Sequence, residues 1–254
     1  MSALSRRLAP RIAAWARAHG PGLVVGLCGP QGCGKSTAAR EIALRLAREG
    51  LRTAVLGLDD LYLPRTDRER LAREVHPLFA TRGPPGTHDV ALGLELLEAL
   101  RSPGRIPLPR FDKSRDERAS EASLFDGPAD VILLEGWCVG VRPQPPGALA
   151  QAVNALEGGE DAEGAWREAV NAALAGPYAA LWSRLDRLVV LTAPDWPTVV
   201  RWRTQAEADN RAMDARQLAR FLQHYERLTR WAAADLPARA DLHLPLAADR
   251  SPPA

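Results

Sequence analysis

Between Gly29 and Thr37 the chain reads GPQGCGKST, the spacing G-x-x-x-x-G-K-[ST] of a loop built to hold phosphate. Successive backbone N–H groups of such a turn point inward and make an anion nest, which the start of the following helix reinforces. The whole stretch Gly29, Pro30, Gln31, Gly32, Cys33, Gly34, Lys35, Ser36 and Thr37 is therefore the expected nucleotide-binding segment. Lys35 would reach the β- and γ-phosphates, and the Ser36 hydroxyl would ligate Mg²⁺. Three acids follow at the ends of later apolar runs: Asp59 and Asp60 in LGLDDLYL, and Glu135 in ILLEGW. A carboxylate beside Mg²⁺ can hold the metal's water, whereas one beside a hydroxyl can take its proton. Glu135 in an apolar strand is costly to bury without such a partner.

Lysine usage singles out a further residue. Of 33 basic residues only Lys35 and Lys113 are lysines. Where arginine serves nearly everywhere, a retained lysine marks a place that wants a compact point charge instead of a planar fork.

These residues need strands to carry them. Five runs rich in Val, Leu and Ile read as buried strands: Leu23 to Cys28, Thr53 to Leu58, Asp130 to Glu135, Arg187 to Thr192 and Asp241 to Leu246. Helical patterns over Ser36 to Arg48, Val90 to Leu100, Pro197 to Ala208 and Ala215 to Ala233 separate them. The expected fold is α/β, a doubly wound parallel five-stranded sheet of the P-loop NTPase type, with helices on both faces and a helical insertion. Pro245 assigns the last strand to an edge. Ligands collect outside the carboxyl ends of such strands, where the three acids arrive. One domain is expected over 1–254. Within it lie an N-terminal helix (1–20), acceptor-binding loops (64–126), a helical insertion (143–185), and lid and C-terminal helices (197–234).

Composition sets bounds. A net charge of +2 with 46% hydrophobic residues suggests neither disorder nor a nucleic-acid-coating surface, and no apolar run approaches the ~20 residues of a membrane span. Cys28, Cys33 and Cys138 lack metal-ligand spacing and fit a reducing, cytoplasmic setting. His19, His76, His224 and His243 show no paired spacing that suggests a metal site. The first forty residues contain no acid, and arginines alternate there with Leu4, Leu8, Ile12 and Trp15. That pattern suits an amphipathic helix packed on the core; organellar targeting is the minor alternative. The stripe from Arg220 to Trp231 reads as sheet-facing packing, and Trp166 and Trp182 as core.

Taken in order, GPQGCGKST, LDDLYL, RGPPGTHD, PRFDKS, LLEGWCVG, WRTQAE and FLQHYERLTRW resemble the plant-type D-glycerate 3-kinases. More distantly they are similar to uridine kinase, phosphoribulokinase and pantothenate kinase. The resemblance runs from about Leu23 to Leu246 and implies transfer of the ATP γ-phosphoryl group to the primary hydroxyl of D-glycerate, with Mg²⁺. It implies Lys35, Asp59, Glu135 and Arg203 as catalytic residues, with Asp59 as base. Ser36 and Glu135 become the metal-holding pair. Tyr62, His88, Asp89, Arg110, Asp112 and Lys113 join Asp59 around the acceptor. Arg201 and Arg211 are further lid arginines. An acceptor carrying a carboxylate needs a positive partner, and Arg110, Lys113 and Arg115 share one loop.

The implied partner is a small molecule, with no nucleic acid and no membrane; the oligomeric state is left open. Kinases for a nucleoside, a pantothenate-like compound or a sugar acid stay open as alternatives, as does a non-catalytic ATP-binding protein. A guanine-nucleotide switch expects N-K-x-D, which two lysines at these positions cannot supply.

Overall fold

The computed structural model describes residues 1–208 and 213–253. Its centre is a five-stranded sheet of β1 (Leu23–Cys28), β2 (Thr53–Gly57), β7 (Val131–Gly136), β8 (Arg187–Thr192) and β9 (Leu242–Pro245), in the order β2-β7-β1-β8-β9. Every pairing is parallel. All residues of β1 and β7 are buried, which is why they read as unbroken apolar runs instead of alternating ones. Pro245 lies on the edge strand, where a missing N–H leaves no inner ladder incomplete.

One face is covered by α1 (Ala3–His19) and α2 (Lys35–Arg48). Leu4, Leu8 and Ile12 of α1 are buried in this core with Ile42 and Leu46 of α2, so the N-terminal apolar stripe is spent on packing. The Ser2 side chain caps α1 by accepting from the Ser5 N–H, and the Ser2 hydroxyl donates to Glu41 at 2.6 Å. The other face carries α4 (Val90–Ala99), α5 (Ala155–Glu160), α6 (Ala165–Ala175) and α7 (Pro177–Trp182). The last three helices occupy the stretch expected as an insertion, and Trp166 is buried there with Tyr178. Two helices, α8 (Trp196–Ala208) and α9 (Ala215–Asp235), stand between β8 and β9. Trp202 of α8 belongs to the first core, whereas Tyr225 and Leu228 of α9 belong to the second.

The sheet departs from expectation by single residues. The second strand stops at Gly57 because Leu58–Leu61 tighten into a 3₁₀ turn, and that turn carries Asp59 and Asp60 over the sheet edge. The two long connections are also more ordered than plain loops. The first forms α3 (Arg65–Glu74), a charged helix whose buried residue is Arg68, held by the Leu63 and Ala80 carbonyls and by Asp116. Burying an arginine hides the apolar stripe by which such a helix is found. The second connection forms two antiparallel ladders, β3 (Gly104–Leu108) with β6 (Ser123–Gly127) and β4 (Phe111–Asp112) with β5 (Glu117–Arg118).

Candidate active site

The phosphate loop joins β1 to α2 at the carboxyl edge of the sheet. Gly32 (φ +75°) and Gly34 (φ +89°) take left-handed backbone that L side chains rarely adopt. A Cβ on Gly32 would also stand 2.6 Å from the Trp202 carbonyl carbon, so loop and α8 pack at backbone distance. Arg250 fastens the same turn, its Nε donating to the Gly32 carbonyl at 2.7 Å.

Lys35 lies beside Glu135 and Asp59. Burial opposes its charge, but Cys33 and those two carboxylates hold its pKa above the ordinary value, so it stays an ammonium. Glu135, at the end of β7, is 9% exposed and shares a cavity wall with Ser36. Burial pushes its pKa up, against the pull of Lys35 and Ser36. The carboxylates of Glu135 and Asp60 approach within 3.7 and 2.8 Å of where a Cβ would stand on Gly57. A hydroxyl and carboxylates converging beside a phosphate nest are the hard oxygen donors that Mg²⁺ takes, with phosphates and waters completing its shell. No cluster of three or more His, Cys, Asp or Glu side chains suited to a metal exists among the described residues.

Asp59 accepts from Lys113 Nζ at 2.6 Å and from the Tyr62 hydroxyl at 2.8 Å. Burial works against its charge, yet Lys113 and Lys35 hold its pKa well below the usual carboxylate range. Behind it, Tyr62 stacks on His88 with ring centroids 4.7 Å apart, and His88 Nδ1 lies 2.5 Å from the Tyr178 hydroxyl. Burial pushes the His88 imidazole down to about 4, so it is neutral.

Two adjoining cavities open here. One, of about 450 Å³, is lined by Ser36, Arg40, Asp59, Asp60, Arg110, Lys113 and Glu135. The other, of about 220 Å³, is lined by Gln31, Lys35, Ser36, Asp59, Tyr62, Arg82, Lys113, Trp137, Arg203, Phe221 and Tyr225, among others. Ser36, Asp59 and Lys113 belong to both. Gly34 and Thr37 face a third hollow with Asp249, Arg250 and Ser251, while Gly29 and Pro30 border a fourth beneath α9.

The remaining sequence candidates are placed as follows. His88 is 5% exposed and lines neither central cavity; it supports Tyr62 from behind. Asp89 caps α4 through the Leu92 N–H at 3.0 Å and accepts from Arg118 at 2.8 Å. Asp60 accepts from Arg110 at 3.1 Å and from the Phe111 N–H at 3.1 Å, tying the turn to the second long loop. The Asp112 carboxylate closes a local turn with Ser114 at 2.6 Å. Arg203 faces the smaller cavity and pairs with Glu207 at 2.6 Å; Arg201 bonds Thr198, and Arg211 lies outside the described residues.

Sequence reasoning missed Arg82, Trp137, Phe221 and Tyr225. Arg82 pairs with Asp116, its carbonyl accepts from the Tyr225 hydroxyl at 3.0 Å, and Trp137 donates to the adjacent Gly83 carbonyl at 3.1 Å. The motifs RGPPGTHD and LLEGW contain Arg82 and Trp137, but nothing local says that they meet. Leu222 of the late stripe is buried and Leu228 packs in the core; Phe221 and Tyr225 line the cavity as well.

Residues 24–144 match the phosphoribulokinase / uridine kinase family model. Over 225 residues the chain is 31% identical to an uncharacterized kinase of Schizosaccharomyces pombe, covering 82% of this chain and 79% of that one. The chain belongs to the phosphoribulokinase/uridine kinase family. Within it, similarity extends to the chloroplastic D-glycerate 3-kinase of Arabidopsis thaliana, 34% identical over 200 residues, or 74% of this chain. The chain spans only 41% of that relative's length. A D-glycerate 3-kinase from Cryptococcus neoformans has a similar structure, with a TM-score of 0.81 at 27% identity over 98% of this chain and 97% of that one. Membership in this family implies the use of ATP. No helix among the described residues is long and apolar enough to cross a membrane.

Proposed function

We propose that the chain is an ATP-dependent small-molecule kinase acting on the primary hydroxyl of a small hydroxy acid, D-glycerate, to give 3-phosphoglycerate. The observation that carries this reading is the adjacency of two cavities sharing Ser36, Asp59 and Lys113. The shared wall at Ser36 suits the terminal phosphate, and the smaller cavity, with Asp59, Arg82 and Tyr225, suits a small alcohol. The names of the Arabidopsis and Cryptococcus relatives support the acceptor.

In this reading the acceptor oxygen attacks the γ-phosphorus, the bond to the β,γ-bridging oxygen breaks, and ADP leaves. The hydroxyl proton passes to Asp59 and then to solvent. An Asp59 pKa held so low makes a weak base, so its main work is to orient the hydroxyl, taking the proton late in a loose transition state. Lys35 and Arg203 offset charge on the phosphoryl oxygens. Ser36 and Glu135 would hold Mg²⁺, which when bound neutralises phosphate charge. Lys113 bridges the base and the incoming carboxylate. The helices α8 and α9 form the lid side of the pocket, excluding water. The whole chain acts as one kinase unit. Three buried free cysteines fit a reducing compartment, and we assign the protein to the cytoplasm.

The test is ADP release across a panel of D-glycerate, other hydroxy acids, pantothenate and nucleosides, followed by product identification. Stimulation by D-glycerate with phosphate on the primary hydroxyl is the expected result. Turnover with a nucleoside instead reassigns the acceptor, and no stimulation by any acceptor removes the kinase reading.

A further inference from the structure

Gln31 has polar atoms that nothing among the described residues satisfies. Both its Oε1 and its Nε2 are buried without a hydrogen-bond partner, and the residue lines the 220 Å³ cavity. A buried amide left unpaired costs free energy, and natural proteins keep such groups where a ligand or water completes them. Phosphate binding by the loop does not explain this side chain, because the nest is made from backbone N–H groups.

The chemistry of the missing partner can be read from the wall. Among the described residues, Lys35, Arg82, Lys113 and Arg203 line the cavity against a single carboxylate, Asp59. The acids that pair with Arg82 and Arg203, Asp116 and Glu207, are not among its lining residues. Lys35 belongs to the nest, and Lys113 and Arg82, each already holding one carboxylate, stand together on this wall as the cations for an anionic group of the acceptor. The volume is below the roughly 300–1,000 Å³ of pockets for drug-sized ligands, which favours an acceptor of only a few carbons. A carboxamide accepts on one atom and donates from the other. That suits a hydroxyl and a carboxylate on neighbouring atoms, the pattern of a 2-hydroxy acid.

We propose that Gln31 is a specificity-determining residue for the acceptor. Its Oε1 accepts from the 2-hydroxyl and its Nε2 donates to the carboxylate of a 2,3-dihydroxy acid, while Arg82 and Lys113 together neutralise that carboxylate. This assignment rests on the kinase reading above and adds the means by which acceptors are told apart.

The experiment compares wild type, Gln31→Met and Gln31→Glu on D-glycerate and on 3-hydroxypropionate, which keeps the carboxylate and primary hydroxyl but lacks the 2-hydroxyl. A site built to bond a substrate hydroxyl rejects the analogue without it, so wild type prefers D-glycerate by on the order of 100-fold or more in kcat/KM. In Gln31→Met that preference falls at least about tenfold through the D-glycerate KM, while the ATP KM moves less than about threefold. Its melting temperature does not fall, because no internal bond is lost. Gln31→Glu raises the D-glycerate KM further, since it opposes a carboxylate with a carboxylate. An unchanged preference in both variants, or a loss that appears in the ATP KM instead, overturns the role of Gln31 and leaves the kinase reading intact. Wild type that turns over no hydroxy acid overturns the acceptor reading and this inference together, and it does so before any variant is made.

Discussion

Replacing Asp59 with Asn separates the chemistry at this site from its architecture. Asn keeps an oxygen for the Tyr62 hydroxyl, now bonded at 2.8 Å, but loses the charge that faces Lys113 at 2.6 Å. That ion pair is partly exposed, at 39% for Asp59 and 58% for Lys113, so after solvent screening its loss costs less than about 1 kcal/mol. A positioned base contributes typically 10²–10⁴-fold. Lys113 and Lys35 depress the Asp59 pKa, which makes it a poor proton acceptor in the ground state. The effect therefore falls toward the lower end, a loss of about 10²–10³ in kcat. The assay is coupled ADP release with saturating D-glycerate, with a thermal melt of the same sample. A kcat drop of that size at nearly unchanged melting temperature is expected. A variant with near-normal kcat removes Asp59 as the group that orients and deprotonates the acceptor.

The two lysines should fail differently. Lys35→Ala abolishes phosphoryl transfer, whereas Lys113→Ala mainly raises the acceptor KM; equal losses of kcat in both would contradict the separate roles given to them. Gly83→Ala tests the backbone beneath Arg82. Gly83 has φ +124°, and a Cβ there would overlap the Tyr225 phenol that bonds the Arg82 carbonyl. Strain and overpacking cost about 2–5 kcal/mol, lowering the melting temperature by on the order of 10 °C and raising the acceptor KM. A stable variant with wild-type KM refutes that coupling. Stability should also respond to acid through His224, whose imidazole burial pushes down to about 4 from an ordinary 6.5. Between those values the unfolded chain binds the extra proton, so stability falls as pH drops from 6.5 toward 4 and is fully present above 6.5. The loss by pH 5 is on the order of 2 kcal/mol. His224→Phe should lose correspondingly less stability between pH 7 and pH 5, measured by urea unfolding, and identical pH dependence in both proteins would refute it.

What could be read along the chain was whatever is physically local. The phosphate nest is made by consecutive backbone amides, so nine residues suffice to announce it. β1 and β7 are buried on both faces, so their strands appear as continuous apolar runs with Glu135 at the end of one of them. The turn after β2 places Asp59 at the same edge because parallel strands deliver their carboxyl ends to one side.

Tertiary structure alone decided which side chains line the two central cavities. Arg82 reaches the cavity because Tyr225, 143 positions later, bonds its carbonyl, and because Asp116 and Trp137 hold the loop from other directions. His88 and Asp89 sit in a motif that looks like chemistry, yet stacking on Tyr62 and pairing with Arg118 turn them toward support. Helix α3 escaped notice since its buried residue is an arginine satisfied by carbonyls far along the chain. Residue type and spacing thus determined the nest, the sheet and the acids at its edge, because those depend on neighbours in sequence. The shape and charge of the proposed acceptor pocket depend on contacts between distant loops, which no local pattern encodes.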